Sequence, residues 1–201
     1  MADPRLPSAD EVRALVRKVV DDTLGASSAM PAVVAEARVA VADDRVAVAV
    51  AGDHGGWRMK DAIGAWLTEH GYAVRDCGTH SDDAVDYPDL ALAVARLVAD
   101  GSCRWGIVVD GAGIGSAMAA NKVPGIRAAN CHDLSSARNS REHNYANVLT
   151  LGAGFLGTAL ALQIVETWLA TDWGAERHGA RVEKISAIER SYTGAPGGKD
   201  R

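Results

Sequence analysis

The chain has 201 residues, 48% hydrophobic and 23% charged, with a formal net charge of −5 at pH 7. That length suits one α/β domain plus an appendage. The absence of a basic tract argues against nucleic-acid binding, and no apolar run nears the roughly 20 residues that span a bilayer. Cys77, Cys103 and Cys131 are widely spaced and cannot all pair, which favours a reducing, cytoplasmic compartment. The N-terminus lacks the uninterrupted apolar stretch of a secretory signal.

Residues 1–25 read as one amphipathic helix. Ser8 and Glu11 form a capping-box pattern, and Val12, Leu15, Val16, Val19, Val20 and Leu24 follow at helical spacing before Gly25. Residues 26–44, rich in Ala, Ser and Val, read as a linker. From Arg45 onward strands and helices alternate. Strands are expected at 45–52, 72–78, 105–110, 125–131 and 147–152. Helices are expected at about 56–70, 87–101, 113–122, 133–142, 156–170 and 178–191, with a tail over 192–201. Such alternation predicts a Rossmann-like αβα sandwich, a five-stranded parallel sheet covered on both faces. Ligands bind such sheets beyond the carboxyl ends of the strands. There the chain places Asp53 and His54, Asp110 with the glycines after it, Asn130 and His132, and the turn Gly152–Gly154.

The segment "GAGIGS" (111–116) invites a dinucleotide reading. Ser116 replaces the third glycine, however, the loop follows the third strand, and the next strand ends without a carboxylate. The better reading is a set of backbone N–H groups, opening a helix, that meets an anion.

Five segments, "GDHGG", "DYPD", "GAGIGSAMAANKVPGIRA", "REHNYANVLTLG" and "RHGARVEKI", occur in order over about residues 45–191. Together they resemble type B ribose-5-phosphate isomerases and the related galactose-6-phosphate and allose-6-phosphate isomerases. The resemblance implies a homodimer or dimer of dimers with active sites at the subunit interface, using no cofactor, metal or nucleotide. It also implies aldose–ketose isomerisation of a sugar phosphate through an enediolate, with ribose 5-phosphate the first substrate to test. His143 and Asn144 match the ring-opening histidine and its polar neighbour. The N–H groups of Gly111, Ala112, Gly113, Ile114 and Gly115 match the enediolate-binding loop. Arg177 and Arg181 match the phosphate clamp, and Asp53 and His54 match a pair lining the sugar and phosphate site. His178 is expected beside the phosphate and His70 and His80 at the surface. Asn121, Lys122 and Arg127 are expected to hold the loop and interface.

The chain departs from the family pattern at four positions. Asp110 stands where the family commonly has the cysteine that removes the C2 proton, and Ala112 where a hydroxyl residue assists. Ser116 stands where some members use a glutamate, and Gly154 where an arginine helps hold phosphate. A carboxylate is a competent base beside a carbonyl, as triosephosphate isomerase illustrates. Asp110 is therefore the candidate base. The alternatives are a catalytically altered sugar-phosphate binding or cargo protein, and an isomerase of a tetrose or hexose phosphate. The N-terminal helix resembles an encapsulation peptide of bacterial microcompartments, with residues 8–25 meeting a shell or cargo partner. The competing reading packs it on its own domain or at the dimer interface. Its mixed charges and lack of aromatics argue against a membrane surface.

Overall fold

The structure, a computed structural model, describes residues 45–193. The expected helix over 1–25, the linker over 26–44 and the end of the tail beyond 193 lie outside the described residues.

The described chain alternates strand and helix as its hydrophobic pattern dictates. The elements are β1 (Ala47–Gly52), α1 (Trp57–Glu69), β2 (Ala73–Asp76), α2 (Tyr87–Ala99), β3 (Trp105–Asp110), α3 (Ile114–Ala120), β4 (Ala128–Asn130), α4 (Leu134–Glu142), β5 (Val148–Gly152), α5 (Thr158–Ala170) and α6 (Glu176–Thr193). The five strands form one parallel sheet in the order β2-β1-β3-β5-β4. The sheet therefore turns back beside β3, and a crevice opens beyond the carboxyl ends of β1 and β3. The strand at 125–131 shortens to Ala128–Asn130, because the residues before it are spent on a turn in which Ile126 N–H bonds Val123 O. The last helix runs further than its pattern, to Thr193, and takes in the first two residues expected in the tail.

Alternation of side chains across the pleat divides the core in two. On one face Val48, Val50, Ile107 and Val109 meet Met59, Ile63 and Leu67 of α1 and Ala161, Ile164, Val165 and Trp168 of α5. On the other face Ala49, Ala51 and Val108 meet Ala91, Val94 and Ala95 of α2 and Ala120 of α3. The alanines on this face let α2 lie close to the sheet. β3 is buried along its whole length, so its last residue, Asp110, emerges at the centre of the carboxyl edge.

Candidate active site

At the carboxyl edge two turns come together. Asp53 follows β1, is 8% exposed, and accepts the N–H groups of Gly55 and Gly56 through Oδ1, both at 2.9 Å. This closes the turn into α1. His54 is exposed, and its Nδ1 accepts from the Val85 N–H at 3.4 Å. A Cβ added to Gly55 would lie 3.9 Å from Gly111 N, which sets this turn beside the glycine loop.

Asp110 ends β3 and is 4% exposed. Its Oδ1 accepts from Ala112 N at 2.7 Å and from Gly113 N. Its Oδ2 accepts from Ser116 N at 3.2 Å and from the Ser116 hydroxyl. The N–H groups expected to meet a substrate anion thus divide. Those of Ala112 and Gly113 hold the chain's own carboxylate, while those of Gly111, Ile114 and Gly115 do not bond it. Gly113 sits at φ 75°, the left-handed region open to glycine, and this turns successive N–H groups inward.

The loop carbonyls are held as well. Ala153 N donates to Asp110 O at 2.8 Å and Gly154 N to Gly111 O at 2.9 Å. Asn130 Nδ2 donates to Ala112 O at 3.2 Å, and Thr150 Oγ1 to Gly113 O at 2.8 Å. A Cβ on Gly154 would come 2.8 Å from Gly111 O, so this backbone contact, rather than an arginine, occupies that corner. The Tyr87 ring covers Gly115, where a Cβ would meet Cζ at 2.5 Å.

His143 and Asn144 lie at the other edge. α4 leaves the carboxyl end of β4 and returns to where β5 begins. His143 caps its end, and Asn147 N–H bonds Arg127 O just before β4 starts. β3 alone is six residues long, so at about 3.3 Å per residue the two edges stand roughly 20 Å apart. Asp53, His54 and residues 110–115 therefore gather at one edge and His143 and Asn144 at the other.

Arg177 and Arg181 join the second group through α6. Gly174 N donates to Glu142 O at 2.9 Å, and the Tyr145 hydroxyl to Gly174 O at 3.0 Å. Tyr145 takes φ 54° and stacks on Trp173 at 4.8 Å, bringing the start of α6 against the end of α4. His143 and His178 then stack with ring centroids 4.2 Å apart and planes 12° from parallel. Arg177 Nε donates to His178 Nε2 at 3.2 Å. Asn139 Nδ2 lies 2.9 Å from His143 Nδ1. An amide nitrogen only donates, so Nδ1 accepts and the neutral imidazole carries its proton on Nε2. Glu142 Oε1 stands 3.9 Å from that Nε2. Arg177, Arg181 and Asn144 are exposed, whereas His178 is 5% exposed. Burial first, then the charges of His143, Arg177 and Arg181, hold the His178 imidazole below its ordinary range, against a smaller upward pull from Glu142.

Other polar residues hold the framework: the sequence pattern does not single out Arg141 and Lys60, whereas Asn121 and Arg127 are expected to hold the loop. Arg141 is 2% exposed, donates to Ala146 O, Trp168 O and Thr171 O, and lies over the Trp105 and Trp168 rings. Burial lowers its guanidinium to about 10. It locks the end of α4 to the end of α5, and its place in "REHN" could have hinted at this. Asn121 both accepts from Ala128 N and donates to Ala128 O, fixing the start of β4. Arg127 Nε donates to Tyr145 O at 2.9 Å. Lys60 is fully buried, with its ammonium 2.7 Å from both Asp61 and Asp76 and 3.3 Å from His80 Nδ1. Asp61, Asp76 and His80 are the one group of metal-ligand type among the described residues, and the Lys60 ammonium already sits against all three.

The Ribose/Galactose Isomerase family model matches residues 48–185, which take in both edges. The chain is 46% identical over 138 residues to ribose-5-phosphate isomerase B of Escherichia coli, covering 69% of this chain and 93% of that one. It is 40% identical over 147 residues to ribose-5-phosphate isomerase B of Mycolicibacterium paratuberculosis, covering 72% and 92%. The solved structure of Clostridium thermocellum ribose-5-phosphate isomerase B superposes with a TM-score of 0.73 at 49% identity, over 74% of this chain and 100% of that one. That of the Mycoplasma genitalium enzyme with bound ribulose-5-phosphate gives 0.70 at 35% identity, over 72% and 97%. The chain belongs to the Ribose/Galactose Isomerase family.

Proposed function

We propose that the chain is an aldose–ketose isomerase that converts ribose 5-phosphate to ribulose 5-phosphate. It works as a homodimer in which the glycine-loop edge of one copy meets the His143 edge of the other. The observation that carries this reading is the separation of the two groups. Each holds half of what the reaction requires, and roughly 20 Å of sheet divides them within one chain. An isologous pairing of two copies would create two complete sites at once. The activity named for the relatives at 46% and 40% identity supports the substrate.

The chemistry follows from the groups each edge supplies. Arg177 and Arg181 hold the phosphate and align the carbon chain. His143 gives its Nε2 proton to the ring oxygen as the bond from that oxygen to C1 breaks. The anomeric hydroxyl's proton returns through water to His143 Nε2 as the C1 carbonyl forms, leaving the aldehyde and a neutral imidazole. Asp110 takes the C2 proton, and the C–H electrons form the C1–C2 double bond as the carbonyl electrons move to O1. The resulting enediolate meets the N–H groups of Gly111, Ile114 and Gly115. The O2 proton then passes to O1, and as the O2 electrons form the C2 carbonyl the double-bond electrons take the proton back from Asp110 at C1, which gives the ketose. Both Asp110 oxygens are held by the loop, so one donor must yield. The Ser116 hydroxyl, a rotor, yields more readily than a backbone N–H. Asp53 and His54 line the sugar.

Incubating the full chain with ribose 5-phosphate in deuterated water tests this. Ribulose 5-phosphate should appear with deuterium exchanged at the transferred position. Turnover of a tetrose or hexose phosphate alone would replace the substrate. Binding without turnover or exchange would favour the second reading, a sugar-phosphate binding module. The enclosure of the Asp110 carboxylate by its own loop is the observation on that side.

Residues 8–25 are proposed as an encapsulation peptide for a microcompartment shell, on their capping box and apolar stripe; the family match begins only at residue 48. Fusing residues 1–25 to a fluorescent protein and co-expressing shell proteins tests this, and unchanged diffuse fluorescence would remove it.

A further inference from the structure

We propose that His178 is a positioning residue. Its ring is the platform that fixes the plane of His143 and ties that plane to Arg177. The inference rests on the isomerase reading above and adds to it what sets the ring-opening histidine in place.

A histidine at a helix end has two side-chain torsions to fix. The stack at 4.2 Å and 12° fixes the plane of the His143 ring, and the Asn139 contact at 2.9 Å fixes its rotation within that plane. Nε2 is then the nitrogen that carries the proton. Either constraint alone would leave the ring free to swing or to exchange its two nitrogens.

His178 is suited to serve as a platform rather than as a proton carrier. It is 5% exposed, and its Nε2 already accepts from Arg177 Nε, which places its own proton on Nδ1. Two parallel imidazoles this close resist both being charged, and Arg177 and Arg181 add positive charge on the His178 side. Glu142 faces His143 instead, at 3.9 Å. The burial and neighbouring charges that hold His178 below its ordinary range act in the same direction. His178 is thus kept neutral beside the His143 ring. Because Arg177 spends Nε on His178, the guanidinium reaching for phosphate also holds the platform, so phosphate position and His143 plane are mechanically joined.

The test compares three variants of the full chain. His178→Ala removes the ring and the acceptor. His178→Asn keeps a hydrogen-bonding side chain without the ring. His178→Phe keeps a flat ring without the acceptor. Turnover of ribose 5-phosphate is measured together with the ring ¹⁵N spectrum of histidine-labelled protein, in which His143 is assigned by its own substitution. Displacing a catalytic group by about 1 Å costs on the order of a hundredfold. His178→Ala and His178→Asn should therefore lose about a hundredfold in kcat with little change in KM, and the His143 nitrogens should move toward an averaged tautomer. His178→Phe should restore the His143 spectrum and recover kcat to within about tenfold of the parent. A rise in KM at preserved kcat in all three variants would make His178 a phosphate ligand and overturn the proposal. An unmoved His143 spectrum in His178→Ala or His178→Asn would overturn it too. Should the parent fail to turn over ribose 5-phosphate, the isomerase reading falls, while the spectra still decide the positioning role.

Discussion

The Ser116 hydroxyl and the Ser116 backbone N–H both donate to Oδ2 of Asp110, six residues earlier and across the glycine loop. With the Ala112 and Gly113 N–H groups on Oδ1, the carboxylate is the hub around which the loop is wound. Asp110→Asn places an amide NH₂ against donors on one side. It should cost about 1–3 kcal/mol in denaturant unfolding, the usual cost of a buried group left without its partner. The same variant should abolish exchange of the substrate C2 proton with solvent. Loss of stability with undiminished exchange would leave Asp110 a structural hub and remove it as the base.

Restoring the family's arginine at position 154 should not strengthen phosphate binding. A side chain there meets the Gly111 carbonyl at 2.8 Å, and moving that carbonyl disturbs the loop. Gly154→Arg should lower stability by about 1–3 kcal/mol, as overpacking does, without reducing KM. A lower KM at unchanged stability would show that the corner can open.

The proposed division of the site between two copies makes a complementation experiment decisive. Asp110→Asn and His143→Ala should each be inactive alone. Mixed equally, unfolded and refolded together, half of the dimers are hybrids, and each hybrid carries one intact site of two. About a quarter of parental activity should return. Failure of any activity to return would place both groups in the same chain's site.

The two exposed arginines at the start of α6 should act on binding. Losing a charged hydrogen bond is worth about 1.5–3 kcal/mol, so Arg177→Ala or Arg181→Ala should raise KM for a phosphorylated sugar about tenfold to a hundredfold. Arg177→Ala should also lower kcat, because it releases His178, whereas Arg181→Ala should leave kcat nearer the parent. Equal effects on kcat would separate Arg177 from the His178–His143 pair.

His178 also makes stability depend on pH in a defined sense. Its imidazole is held below the ordinary value of 6.5, so near that value the unfolded chain binds a proton that the folded chain refuses. Its contribution to stability is full above 6.5 and is lost as pH falls from there through the folded value. Denaturant midpoints between pH 5 and 8 should decline on acidification in the parent, and less so in His178→Phe. Identical pH profiles would show that His178 is not held neutral.

The alternation of elements was legible because hydrophobic period follows secondary structure. "WGIVVD" could only be a buried strand, and Trp57–Glu69 fits the helix read at 56–70. Glycines and loop motifs likewise marked which residues carry chemistry. The direction each side chain takes after the backbone is set was not legible. Asp110 turns into its own loop, Arg141 goes inside between two tryptophans, and His143 finds His178 from 35 positions away in sequence. Each depends on neighbours supplied by other elements. A parallel sheet also puts successive connections at opposite edges, and a list of motifs in chain order conceals this. "REHN" and "GAGIG" read as parts of one site, yet one sits where strands begin and the other where they end.

The roughly 20 Å of sheet between Asp110 and His143 has a consequence for how the activity depends on the amount of protein. A catalyst assembled from two edges exists only while two chains are associated. Below the dissociation constant of the pair, the rate should fall with the square of the chain concentration rather than in proportion to it. Any arrangement that crowds the chains together then works as an activator, and dilution alone works as an off-switch, with no effector molecule required.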